Sequence, residues 1–391
     1  MKKNVLIIFK YPHPHWNIPV INRFSNYYEV ESLYINDIKD KNFTETVEEI
    51  NNLIRSKNIE IAVFDVDYFK FSNFFFIEKI NCKKKILISG DDFELHEINS
   101  ITASACDLVL TTCPLSVLKY KEKGYKAYFM VYENYKINKV NSEKKEIDVL
   151  FFGELTPDRK EYLKYIEKEG INLKNVGFNL GDTKLSDEEL LQFIRKTKII
   201  LNLSKSRTIS SVNNYALGNI FKFQYQFKGR VWDAGLNGVI CVSEYAPALE
   251  IFFKDDEIPS FTSKEECVKI LKRLLKNDEL LDKYRNKFTS KVHELIDDKE
   301  HFKPIYDEIE KLDYNERVKL NKFPYWYLRI AAKQAVLRNI KLTNLIKSIF
   351  QFNVVFEIIK NSNLSTKFLI IFESILNVLW YSFTFSFKSK K

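Results

Sequence analysis

From Asn4 to Thr112 the chain repeats one device: a short apolar run, then a longer stretch of helical period. The runs are "NVLIIF" (4–9), "EVESLYI" (29–35), "IEIAVFDV" (59–66), "KKILIS" (84–89) and "DLVLTT" (107–112), followed by "KAYFMV" (126–131). Between them lie segments such as "TETVEEINNLIRSKN" and "CPLSVLKYKEKG", the latter closing at Gly124, a residue suited to end a helix. A strand covered on both faces has no polar side to show. Unalternated runs separated by helices therefore predict a parallel sheet sandwiched between helices.

The polar, aperiodic stretch "KINKVNSEKKE" (136–146) reads as a linker, after which the device restarts. New strand candidates are "IDVLFFG" (147–153), "INLKNVGF" (171–178), "KIILNLS" (198–204) and "GVICVS" (238–243), with "DRKEYLKYIEKEG", "SDEELLQFIRKT" and "KEECVKILKRLLKN" as intervening helices. Ser186 with Glu189 three residues on is a capping box. The expected fold class is α/β, two doubly wound domains in series over 1–140 and 141–305, with a helical extension over 306–391. At 391 residues, two or three domains with substantial cores are affordable.

Charge is distributed unevenly. Arg317 to Lys391 holds 13 Lys/Arg against Glu357 and Glu373, a net +11 where the whole chain carries +9, so the preceding 316 residues carry −2. A nucleic-acid-binding protein more often places its basic footprint on the main domain, which argues against that class. The odd, scattered cysteines, Cys82, Cys106, Cys113, Cys241 and Cys267, form no CxxC pair. They fit reduced thiols in a cytoplasm better than a disulfide framework or a zinc site. The start, "MKKNVLIIFKYPHPHW", reads as a first buried strand rather than a signal peptide.

Chemistry concentrates in "YQFKGRVWDAGLNGVICVSEYAPALEIFF" (225–253). A helix ordinarily starts with acids, yet this one starts with Lys228, Gly229 and Arg230 and stops at Asn237-Gly238. A glycine admits close backbone approach, the helix start favours an anion, and a guanidinium grips phosphate bidentately. Asp233, three residues after Arg230, shares its helix face and suits two vicinal hydroxyls of a ribose. Together they describe a nucleoside diphosphate; a surface Lys and Arg beside a solvated acid is the plain alternative.

The block "QFKGRVWDAGLNGVICVSEYAPALEIFFKDDEIPSFTSKEECVKILKRLLKN" resembles the C-terminal domain of GT-B-fold glycosyltransferases of the group 1 type, in the branch similar to spore-maturation proteins. "IDVLFFGELTPDR", "LSDEELL", "KIILNLS" and "DLVLTTCPLSVLKYKEKGYKAYFM" extend the likeness over roughly residues 85–290. The resemblance implies two Rossmann-like domains facing a cleft, with a nucleotide-sugar donor on the second. By it, Gly153 lets the backbone approach the diphosphate, Arg159, Lys228 and Arg230 are its cationic partners, Asp233 stands where relatives carry a glutamate to the ribose, and Glu250 begins a helix facing the same cleft. A plain strand-ending turn at Gly153 and a solvated Arg159 are the alternatives from spacing alone. One departure matters: Tyr225, eight residues before Asp233, stands where many group 1 enzymes carry a first acid that touches the donor sugar.

On the acceptor side, "YPHPHWN" (11–17) follows the first strand, at the edge where open α/β sheets bind ligands. His13 or His15 there suits a general base, and Asp91 or Asp92 in "SGDDFEL" suits orienting or deprotonating an acceptor hydroxyl, or else capping the next helix. The fold does not usually need a metal, so no cofactor is expected. The basic, aromatic-interleaved tail and the apolar run "FLIIFESILNVLWYSFTFSF" (368–387) fit an anionic membrane surface, in plane or packed on protein rather than spanning, or a helical extension on the core. The sequence thus predicts a bacterial glycosyltransferase of hexosyltransferase type in cell-surface polysaccharide or lipopolysaccharide assembly. It is expected to be cytoplasmic and peripheral on the inner membrane through residues 317–391, with a glycan or glycolipid acceptor. The rivals are an inverting fucosyltransferase-like enzyme and a non-catalytic sugar-nucleotide-binding or scaffold protein.

Overall fold

The computed structural model describes residues 2–9, 12, 14–35, 43–66, 74–90, 92–131, 144–179, 185–205, 225–312, 317–320, 322–337, 352–360 and 362–388. His13, Asp91 and most of the expected linker lie outside the described residues. The chain forms two compact units, Met1–Met130 with Ile305–Lys391, and Val131–Pro304.

In the first unit, β1 (Asn4–Phe9), β2 (Glu29–Tyr34), β3 (Ile59–Val66), β4 (Lys84–Ser89), β5 (Leu108–Thr111) and β6 (Ala127–Phe129) form an all-parallel sheet in the order β2-β1-β3-β4-β5-β6. Val5 to Phe9 are buried, as an apolar run covered on both faces requires, whereas β2 at the sheet edge is half-exposed. The crossovers include α1 (Pro14–Ser25), α2 (Phe43–Ser56), α3 (Phe74–Lys79), α4 (Asp92–Ala103) and α5 (Pro114–Glu122). Winding reverses between β1 and β3. The segment after β1, read from sequence as a loop, turns helical at Pro14, a residue pre-set for a first helical position. His15 thus belongs to the first turn of α1, and Trp16 lies against the backbone of Gly90, just after β4.

The second unit carries β7 (Ile147–Phe151), β8 (Leu173–Asn175), β9 (Thr197–Asn202), β10 (Ile240–Glu244) and β11 (Ser260–Phe261), all parallel, in the order β11-β10-β9-β7-β8. Here winding reverses between β7 and β9. The helices α6 (Pro157–Lys168), α7 (Asp187–Arg195), α8 (Arg230–Leu236), α9 (Leu249–Phe252), α10 (Lys264–Leu275) and α11 (Asp278–Leu295) accompany it. Ser186 and Glu189 make the capping box at α7, and Thr156 caps α6 by accepting from the Arg159 N–H. Gly235 explains the small residues of α8: a Cβ there would stand 2.4 Å from a Val292 methyl on α11.

The tail, expected as a helical extension over 306–391, groups with the first unit. After α12 (Lys303–Lys311), α13 (Tyr325–Leu337), α14 (Phe352–Ile359) and α15 (Leu364–Lys388) belong to the first unit. Leu328, Ala331, Ala332, Val355 and Ile370 are buried in one cluster with Leu6, Ile8 and Phe64 of its sheet. Arg317 anchors the return, donating from Nε (2.6 Å) and Nη2 (3.1 Å) to the buried Asp107 carboxylate. Glu373, the lone acid of the apolar run, pairs with Arg329 of α13, so protein rather than solvent accounts for it. Among the described residues, no helix is long and apolar enough to cross a membrane.

Candidate functional site

Arg230, first residue of α8, is 8 % exposed, so the cation expected to face an anion starts from a desolvated position. Its side chain crosses the winding reversal of the second sheet. Nη1 donates to the Phe152 carbonyl after β7 (3.0 Å), Nε to the Asn202 amide oxygen at the end of β9 (3.0 Å), and Nη2 to the Leu203 carbonyl (2.8 Å). The guanidinium also lies 5.3 Å from the Phe151 ring centroid. A guanidinium has five N–H donors. Those three bonds use three, and they fix the plane of the fork at the carboxyl ends of two parallel strands.

Arg159, in the first turn of α6, is buried at the same place. Its Nη1 donates to the Glu154 carbonyl (2.8 Å) and its Nη2 to the carbonyls of Lys205 (3.2 Å) and Leu203 (3.5 Å). Two guanidinium groups therefore converge on one carbonyl. Burial first, and the Arg159 charge second, push the Arg230 guanidinium down to about 9. Asp233, half-buried a turn along α8, and Glu244 oppose that shift without cancelling it. Each position has a local reason: Arg159 follows the Thr156–Pro157 helix start, and Arg230 opens the helix that feeds β10.

Gly153 completes the corner. Its φ of +116° is costly for any side-chain-bearing residue, and a Cβ there would stand 2.4 Å from Arg230 Nη1. The plain strand-ending turn is thus also the only residue type that lets the guanidinium lie against the backbone. Gly229 differs from expectation: at φ −53° and ψ −29° it has ordinary helical geometry, so no special backbone conformation explains it. Lys228 is half-buried and donates through Nζ to the Gln226 side chain. Glu250 is exposed in α9, where its carboxylate accepts from the Tyr245 hydroxyl (2.6 Å).

Asn202 and Glu244 form part of the corner, though sequence reading passed over them. Each is a polar residue closing a buried strand, and that interruption of "KIILN" and "ICVSE" was the available signal. Glu244 is 4 % exposed; its Oε2 accepts from the backbone N–H groups of Ser204 (2.8 Å) and Lys205 (2.9 Å). Beside it, Arg159, Tyr162, Lys205, Tyr225 and Lys264 line an open pocket of about 350 Å³. Tyr225, found where an acid was expected, is an exposed wall of this pocket. Among the described residues no cluster of His, Cys, Asp and Glu could hold a metal ion, and all five cysteines are buried free thiols.

On the first unit, Asp92 departs from its expected role in deprotonating an acceptor. It is fully buried: Oδ1 accepts from Ser89 Oγ (2.7 Å), Tyr120 Oη (2.9 Å) and Asn99 Nδ2 (3.0 Å), and Oδ2 from Thr111 Oγ1 (2.9 Å). A carboxylate with both oxygens so engaged ties β4, β5, α4 and α5 together and has no lone pair directed at solvent.

Residues 137–297, nearly the whole second unit, match the model of a family described as glycosyl transferase-like. No curated protein matches the chain by sequence. By structure the chain is similar to an α-glucosyltransferase solved with UDP and a 13-mer DNA containing an HMU base (TM-score 0.52, 14 % identity, 79 % of this chain and all of that one). It is also similar to the HepE protein of Anabaena with UDP and glucose (TM-score 0.53, 9 % identity, 79 % and all). A third likeness is to the sucrose-phosphate synthase of Thermosynechococcus elongatus (TM-score 0.51, 8 % identity, 80 % and 98 %). These likenesses show the two-domain α/β fold expected from the sequence, and the family match supports a glycosyltransferase. Neither singles out the spore-maturation branch.

Proposed function

We propose that this GT-B-fold chain is a glycosyltransferase that takes a sugar from a nucleoside diphosphate and passes it to a hydroxyl of a glycan or glycolipid. The observation that carries the reading is the pair of buried guanidinium groups, Arg230 and Arg159, meeting at Leu203 where the winding of the second sheet reverses. Open α/β sheets bind ligands at that point. Two desolvated cations side by side are stabilised by a dianion, and their protein bonds have already fixed their orientation. The relatives named above that were solved with UDP make uridine diphosphate the first donor nucleotide to try.

In this reading Arg230, Arg159 and Lys228 meet the diphosphate, Gly153 admits it close to the backbone, and Asp233 accepts from the ribose hydroxyls. The acceptor hydroxyl attacks the anomeric carbon, the carbon–oxygen bond to the diphosphate breaks, and the fixed cations stabilise the charge left on the departing oxygen without calling on a metal. His15, in the first turn beyond β1 at the first unit's own winding reversal, is the base assigned to the acceptor proton.

Uridine diphosphate at 100 times its Kd should raise the unfolding free energy by ~2.7 kcal/mol in a thermal-shift titration. Arg230→Lys keeps a charge and loses the fork. Removing one charge-assisted bond worth about 1.5–3 kcal/mol should lower kcat/KM by roughly 10–150-fold. No shift with any nucleoside diphosphate would refute the donor site. A shift without turnover on any acceptor would leave a sugar-nucleotide-binding protein, the reading that Tyr225 in place of an acid favours.

A further inference from the structure

α15 presents two contrasting sides. Ile370 (1 % exposed) and Ser374 (2 %) face the first unit, while Leu364 (84 %), Phe368 (71 %), Phe372 (51 %) and Ile375 (43 %) are exposed. Leu369 and Leu376 are exposed beside them. At 3.6 residues per turn, these positions fall within one broad stripe of the helix, and no acid interrupts it. Glu373 lies off the stripe, held by Arg329. Contiguous apolar surface of this kind on one helix marks an interaction face.

Charge decides between the occupants. The segment that bears the stripe, Arg317–Lys391, has a net charge of +11. A second copy seated on the stripe would bring a segment of the same net positive charge to it, so like charges oppose self-association. An anionic bilayer instead satisfies both the apolar stripe and the cations. Exposed Lys360 just before α15 and half-buried Lys367 in its first turns supply those cations among the described residues. The packed side of α15 excludes lipid, so the helix lies in the plane of the surface.

We infer that the exposed stripe of α15, from Leu364 to Leu376, docks this protein on an anionic lipid bilayer as an interfacial helix. Apolar side chains enter the headgroup–acyl boundary while lysines such as Lys360 and Lys367 meet lipid phosphates. The inference stands apart from the nucleotide site: it survives if the donor reading fails, and the reverse holds too.

Sedimentation of the full chain with vesicles of phosphatidylcholine alone, and of phosphatidylcholine mixed with phosphatidylglycerol, tests it. Partition to the mixed vesicles should exceed that to the neutral ones by at least about tenfold and fall as salt is added. The double variant Phe368→Asp, Phe372→Asp should lose at least about tenfold in partition with an unchanged melting temperature, because both side chains are exposed. Should that variant melt early, Leu364→Asp at the most exposed position serves in its place. Equal partition to both vesicles, no partition, or undiminished partition of the variants overturns the inference. So does a concentration-dependent dimer that the variants abolish.

Discussion

Gly153 and Arg230 depend on each other, and neither residue states it alone. The glycine's left-handed backbone and missing Cβ give the guanidinium its place; the guanidinium's bonds to Phe152, Asn202 and Leu203 hold the strand ends together. Gly153→Ala brings a disfavoured φ and a collision with Arg230 Nη1. Strain of that kind costs on the order of 1–3 kcal/mol. The urea midpoint should fall accordingly, and nucleoside-diphosphate affinity should fall with it, since the displaced guanidinium is the proposed ligand. An alanine variant with wild-type midpoint and affinity would show that the corner tolerates movement. The sequence marked both residues, Arg230 as a cation at a helix start. It did not show that most of the fork's bonding goes inward to the chain.

Among the elements, the Asp92 network does for the first unit what Arg230 does for the second. Burial alone would raise the Asp92 carboxyl, but the adjacent His96, whose Nδ1 is 3.8 Å away, and the Ser89 and Asn99 donors hold it below the ordinary carboxylate range. Its folded pKa is thus lower than its unfolded one, about 3.9. The stabilisation is complete above the unfolded value and is lost as pH falls through the folded one. Urea denaturation across this range should show stability dropping below about pH 4. Asp92→Asn, which turns one acceptor into a donor facing Thr111 Oγ1, should cost about 1–3 kcal/mol at neutral pH and flatten the acid limb. An Asn variant with an unaltered acid limb would place that limb elsewhere. "SGDDFEL" gave no sign of this, because four of the five partner side chains come from Asn99, Thr111, Tyr120 and His96, downstream on other turns and elements.

At the scale of the whole molecule, the tail returns to the unit that begins the chain. Arg317 fixes the return by filling both Asp107 oxygens, while one of these also accepts from the Lys85 N–H. Arg317→Ala leaves the Asp107 carboxylate, 2 % exposed, without its cation, at a cost of about 1–3 kcal/mol. Limited proteolysis should then cut after the lysines of 317–322 faster than in the wild type, while the second unit, which shares none of these contacts, keeps its cleavage pattern. Equal rates for the tail would mean that α13 to α15 hold the return without Arg317.

Local pattern was sufficient for the elements. Short apolar runs separated by helical segments fit strands of a covered parallel sheet, and β1 to β10 lie within or close to the predicted runs, with β2 half-exposed at the sheet edge; β11, two residues long, is too short to carry a period. Charge order at Lys228-Gly-Arg230 and the capping box at Ser186 are likewise local, since they act within one helical turn. Proximity across the sheet was not local. That Arg159 and Arg230 share Leu203, that Asp92 is an interior hub, and that α15 keeps one apolar side uncovered all follow from which strands and helices become neighbours. Side-chain desolvation and hydrogen bonding depend on those neighbours and not on position along the chain.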